Sequence, residues 1–84
     1  MDLCGPKIRA GQIMLTDGQQ VTVTCRNTLG EEGLIPSQYH NLYKDTKKGE
    51  RILLDDGNLE LRVLSIKDTE VNCRVIHGGV MMQL

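Results

Sequence analysis

Along most of the chain, apolar and polar residues alternate with a period of two. Val21, Val23 and Cys25 face one way, with Thr22 and Thr24 the other. Leu59, Leu61 and Val63 alternate with Glu60 and Arg62, and Val71, Cys73 and Val75 with Asn72 and Arg74. Side chains of an extended chain point alternately to opposite sides, so each run predicts a strand with one buried face. Turn chemistry separates the runs. Asp17-Gly18 lies between the strand runs 13–16 and 20–26, and Asp56-Gly57 between 51–54 and 58–64. Both residue types tolerate positive φ, so each pair predicts a hairpin. Lys67-Asp68-Thr69 makes a third connection. Only 37–43 lacks alternation. There Ser37, after Pro36, is expected to cap a single helical turn with Tyr39, Leu42 and Tyr43 on one side. Residues 27–33, with two glycines and two glutamates, predict a loop. Six or seven short strands in one small chain predict an all-β fold: a mostly antiparallel barrel, closed or partly open, because closure removes unpaired edges.

Composition narrows the picture. The 84 residues make one domain. A chain of this size buries roughly 60–65% of its unfolded surface. Phe and Trp are absent and Tyr39 and Tyr43 are the only aromatics, so the core is expected to be aliphatic. The formal charge of −1 gives no general attraction to nucleic acid or anionic lipid. A groove for single-stranded nucleic acid would also need stacking aromatics. Cys4, Cys25 and Cys73 are odd in number and not at metal-knuckle spacing. Cys25 and Cys73 fall at apolar strand positions, where buried free thiols are expected, which fits a reducing, cytoplasmic setting. No apolar run reaches the ~18 residues of a membrane span. His40 and His77 lack partners at metal-ligand spacing and are expected on the surface. Met81 and Met82 belong to an apolar end segment.

The candidate chemistry sits at the start, in Asp2-Leu3-Cys4-Gly5-Pro6-Lys7-Ile8-Arg9. Pro6 fixes φ and disfavours helix at Gly5, so the chain beyond should run extended. Lys7 and Arg9 then share one side, and Ile8 and Ala10 the other. Such a pair of cations suits phosphate, Arg as a rigid fork of donors and Lys as a point charge.

This run resembles the DxxGP[EK]IR segment of pyruvate kinases, where the catalytic barrel hands over to the small β-barrel lid, or B domain. Gly49-Glu50-Arg51-Ile52-Leu53-Leu54-Asp55-Asp56-Gly57 is similar to the family's G-x-x-I-x-x-D-D-G run. Cys73-Arg74-Val75-Ile76-His77-Gly78-Gly79 is similar to the strand and Gly-Gly turn that follow it. The order and spacing match across essentially the whole chain. The resemblance implies that 1–84 is the lid domain, with 1–5 and 80–84 as crossovers to a (β/α)₈ catalytic domain outside it. It implies transfer of phosphate from phosphoenolpyruvate to ADP, with Mg²⁺ or Mn²⁺ bound mainly outside this chain. A homotetrameric full-length enzyme and an inactive isolated lid are also implied.

The resemblance also assigns roles. Arg9 would approach the phosphoryl group in flight, and Lys7 would stand beside it. Family members with Glu at the Lys7 position look potassium-dependent, and those with Lys do not need the ion. Leu3 sits where dependent members usually have Thr, so Leu3 and Lys7 together imply potassium independence, with a tethered ammonium in the cation's place. Asp2 matches the family's cation-ligating acid and here would pair with Lys7. Asp56 is the choice over Asp55 for the lid face that closes on nucleotide, and Pro6 shapes the hinge. Cys4 departs from the usual polar residue, which keeps open a divergent, pyruvate kinase-like protein. A free-standing β-barrel binding module is a further alternative.

Overall fold

The computed structural model describes Leu3, Ile8 and residues 11–26 and 28–82. Among these lie seven strands and one helical turn: β1 (Gln12–Leu15), β2 (Gln20–Thr24), β3 (Leu34–Pro36), α1 (Leu42–Asp45), β4 (Arg51–Leu54), β5 (Leu59–Lys67), β6 (Glu70–His77) and β7 (Gly79–Met82). Five strands form a curled half-barrel sheet in the order β3-β2-β6-β5-β4, and β1 and β7 form a separate two-stranded ribbon. All pairings are antiparallel except β2 with β3. The all-β, mostly antiparallel, partly open barrel is therefore what the alternation predicted.

Two of the three predicted connections are hairpins. β4 and β5 pair from Arg51↔Arg62 to Leu54↔Leu59 around the Asp56-Gly57 turn. Lys67 pairs with Glu70 across Asp68-Thr69, with Asp68 at φ 54°. Asp17-Gly18 is not a hairpin. β1 pairs with β7 and β2 with β6, so this turn is a corner between the ribbon and the sheet. The Gly18 N–H donates to the Val75 carbonyl at 2.7 Å, and the Asp17 carboxylate accepts from the Gly78 N–H at 2.7 Å. These long-range bonds draw the two turn residues onto β6 and the Gly-Gly turn, away from a local hairpin. At Gly78 any Cβ would collide with the Leu15 carbonyl, whose carbon would lie 2.9 Å away, so only glycine fits beneath the corner.

The helical turn also begins later than expected. Ser37 does not cap it. Its hydroxyl accepts from the Tyr39 N–H at 3.0 Å and donates to the Tyr39 carbonyl at 3.1 Å, which uses it up in a local turn. α1 starts after Asn41, which makes no side-chain cap. Leu42 is fully buried, Tyr43 packs against the core and Tyr39 is exposed.

One aliphatic cluster holds both layers together. Val23, Leu42, Ile52, Leu61, Val71 and Cys73 have no exposed surface, and Ile13, Leu15 and Met81 of the ribbon join them. Ile8 is 3% exposed and bridges Gly30 in parallel, so it is buried as the alternation of the opening run required.

Candidate functional site

Sheet order makes β4 an edge strand, and an edge offers unpaired backbone groups. The Leu3 N–H takes up one of them, donating to the Leu53 carbonyl at 2.9 Å. The start of the chain is thereby tied to the strand that leads into Asp55-Asp56-Gly57. Leu3 is half-buried and packs on the core.

The β4–β5 turn holds three consecutive left-handed residues, Asp55 (φ 52°), Asp56 (φ 55°) and Gly57 (φ 87°). Asp tolerates this region better than most residues because its short polar side chain can bond locally. The turn closes through Gly57 N–H to Leu54 O at 3.1 Å and Asn58 N–H to Asp55 O at 3.0 Å. Both aspartates are exposed. Among the described residues, no donor bonds the Asp56 carboxylate. A surface hollow of about 360 Å³ is lined by Leu3, Leu53, Asp56 and Gly57. Two sequence-predicted residues from opposite parts of the chain, Leu3 and Asp56, thus share one concavity.

Of the other predicted site residues, Asp2, Pro6, Lys7 and Arg9 lie outside the described residues, as does Cys4. Of the opening motif, Ile8 is described and buried.

Neither described cysteine is exposed for nucleophilic chemistry. Cys25 and Cys73 are free and buried. Burial pushes the Cys73 thiol up from 9.0 to about 12, so it stays protonated and inert at neutral pH. Its side chain points into the core while His77 is exposed at the end of β6, so these two residues do not form a Cys–His pair. His40 is exposed, with Nδ1 3.1 Å from the Cys25 carbonyl. Among the described residues, no group of three or more His, Cys, Asp or Glu could hold a metal ion. No helix there is long and apolar enough to cross a membrane.

The Cys73 shift carries a sign. The thiol's pKa is higher folded than unfolded, so its contribution to stability is whole below pH 9 and is lost as pH rises towards 12. Chemical denaturation across pH 8–11 is expected to show stability falling at the alkaline end, with a shallower fall in Cys73→Val. Iodoacetamide at pH 8 is expected to leave Cys73 unmodified in the folded chain.

Sequence reasoning missed the Asp17–Gly78 contact. Each residue stood out as turn chemistry, but the pairing of β1 with β7 that joins them could not be read from either turn.

The comparisons agree with this architecture. The pyruvate kinase barrel-domain family model matches residues 1–83. The pyruvate kinase of Thermotoga maritima is 43% identical over 84 residues, covering 94% of this chain, and that of Thermococcus litoralis is 39% identical over 85 residues, covering 95%. The crystal structure of a pyruvate kinase from Cryptosporidium parvum superposes with a TM-score of 0.87 at 29% identity over 98% of this chain. This chain spans 18% of the length of each of those three proteins. The fold, the spacing of the three motifs and these matches together show that the chain belongs to the pyruvate kinase barrel-domain family.

Proposed function

We propose that this chain is the lid of a pyruvate kinase. It closes over the active site while phosphate passes from phosphoenolpyruvate to ADP. The observation that carries the reading is the family match through residues 1–83, which takes in the opening motif. The tie from Leu3 to Leu53 supports it, since the start of the chain and the Asp56 turn share one hollow.

In this reading Arg9 and Lys7 act on the phosphoryl group. Its oxygens carry charge throughout transfer, so catalysis is mostly positioning and electrostatic stabilisation. The Arg9 fork spans two phosphoryl oxygens, and the Lys7 ammonium supplies a compact charge beside them. Closure excludes water and strengthens both interactions. Asp56 faces the nucleotide on the closing side, and Pro6 sets the direction in which the chain leaves the hinge. Magnesium or manganese is held by residues outside this chain. The protein works in the cytoplasm as a homotetramer, and the isolated chain, lacking those residues, catalyses nothing.

Leu3 bears on the monovalent cation. Its half-buried aliphatic side chain has no oxygen to ligate potassium. The Lys7 ammonium, paired with Asp2, takes that ion's place as a tethered charge. ATP formation from ADP and phosphoenolpyruvate is expected from the full-length protein at similar rates in potassium, sodium and tetramethylammonium buffers, and not from the 84-residue chain. Activity in the isolated chain would overturn the division of labour. A large activation specific to potassium would overturn the role given to Leu3 and Lys7.

A further inference from the structure

The outer face of the five-stranded sheet carries a second concentration of charge, built from residues that the lid reading does not use. Register places Gln20, Arg74, Arg62 and Arg51 in one row across β2, β6, β5 and β4. All four are exposed. Neighbouring strands lie about 4.8 Å apart, and like charges directly opposite each other destabilise a sheet. Two carboxylates share this face, and both are engaged at its margins. Glu60 lies 4.0 Å from Arg51, and Glu70 pairs with Arg26 at 3.0 Å. The central pair, Arg62 and Arg74, has no carboxylate partner among the described residues.

Beside this pair runs a row of neutral polar groups. The Thr22 hydroxyl donates to Asn72 Oδ1 at 3.2 Å, and the Asn72 amide donates to the Ser65 hydroxyl at 3.2 Å. The β5–β6 register shifts between Val63 and Ser65, which leaves Leu64 unpaired at a bulge. Gln20, Thr22, Leu64 and Asn72 line a hollow of about 250 Å³ there. Bulges commonly re-aim side chains beside a binding site.

We propose that Arg62 and Arg74 form an anion site for a phosphoryl group, either free phosphate or the phosphate end of a small hydroxylated ester whose body lies in the hollow. Two guanidinium forks on adjacent strands match the planar, bidentate recognition that phosphate oxygens accept. A bound dianion converts the Arg62–Arg74 repulsion into a shared attraction. Thr22, Asn72 and Gln20 supply the hydroxyl-directed contacts that a carboxylate-rich protein partner would not need.

The test is an NMR titration of the 84-residue chain at fixed ionic strength with inorganic phosphate, glycerol 3-phosphate and a poly-glutamate peptide. Saturable shifts centred on Arg62, Arg74 and Asn72 are expected with one or both phosphoryl compounds. Arg62→Gln and Arg74→Gln are each expected to weaken binding by roughly tenfold, the effect of losing one charge-assisted contact. Arg26→Gln, at the margin of the same face, should leave it within about twofold. Tighter binding of the ester assigns the site to a phosphate ester, and equal binding to free phosphate. Three results would overturn the proposal: shifts that do not saturate, binding unchanged in both arginine variants, or tighter binding of the peptide than of either phosphoryl compound. The exposed arginines lie outside the core, so these variants keep the fold intact for the comparison.

Discussion

Replacing Arg9 by Ala in the full-length protein is expected to lower kcat by roughly 10³ to 10⁵, the range seen for arginines that stabilise phosphoryl transfer. The physical reason is differential. Charge on the transferring group must be met where it develops, and a guanidinium contributes most when water has been excluded around it. KM for both substrates should change far less than kcat, because in the proposed lid role the contact would tighten as the lid closes and the phosphoryl group moves. Arg9→Lys should recover only part of the rate, since a single ammonium cannot span two oxygens. Steady-state kinetics on the two variants check this. A KM rise with kcat intact would place Arg9 in ground-state binding instead. Full activity in Arg9→Ala would remove it from the mechanism.

The second large effect is on stability. Leu61→Ala is expected to destabilise the chain by about 2–5 kcal/mol. Leu61 is wholly buried near the start of β5, between Ile52 on β4 and Val75 on β6, so truncation opens a cavity where three strands meet. A domain of 84 residues has only roughly 4–13 kcal/mol of net stability. The loss therefore takes a large share, and Tm should fall by on the order of 10–30 °C. Among the described residues the fully buried cluster holds no aromatic side chain to refill the space, and Tyr43 only packs against it from a half-buried position. Met14→Ala, at a side chain 54% exposed on the ribbon, should cost less than about 0.5 kcal/mol. Thermal and urea denaturation followed by circular dichroism measures both. Equal midpoints for the two variants would contradict the packing described.

How much of this was legible in the sequence depends on the range of the interactions. Alternation located β2, β5 and β6 to within a few residues, because a half-buried strand repeats every two positions. The Asp56-Gly57 hairpin was legible because its strands pair with each other. Asp17-Gly18 carried the same local signature and meant something different, since the partners of β1 and β2 come from the far end of the chain. Local chemistry specifies that a turn occurs there, and tertiary pairing decides which strands it joins. Ser37 shows the same limit at shorter range: a residue suited to capping spent its hydroxyl on Tyr39 before the helix began.

The candidate site rests on a different signal. Asp2, Leu3, Pro6, Lys7, Arg9 and Asp56 are proposed from motifs, not from periodicity. The structure brings Leu3 and Asp56 to one hollow, a juxtaposition that no spacing along the chain expresses. The arginine row could not be foreseen at all. Alternation turned Arg62 and Arg74 outward, but only the register makes them neighbours with Arg51.

Closure of this domain onto substrate is the motion that the proposed lid role requires. Its most direct test is the distance between a spin label at Asn58, on the exposed β4–β5 turn, and a second label on the remainder of the full-length protein. Pulsed dipolar spectroscopy with and without magnesium, ADP and phosphoenolpyruvate reads that distance. A shift to a shorter, narrower distribution is expected when the substrates bind. An unchanged distribution under saturating substrates would contradict it.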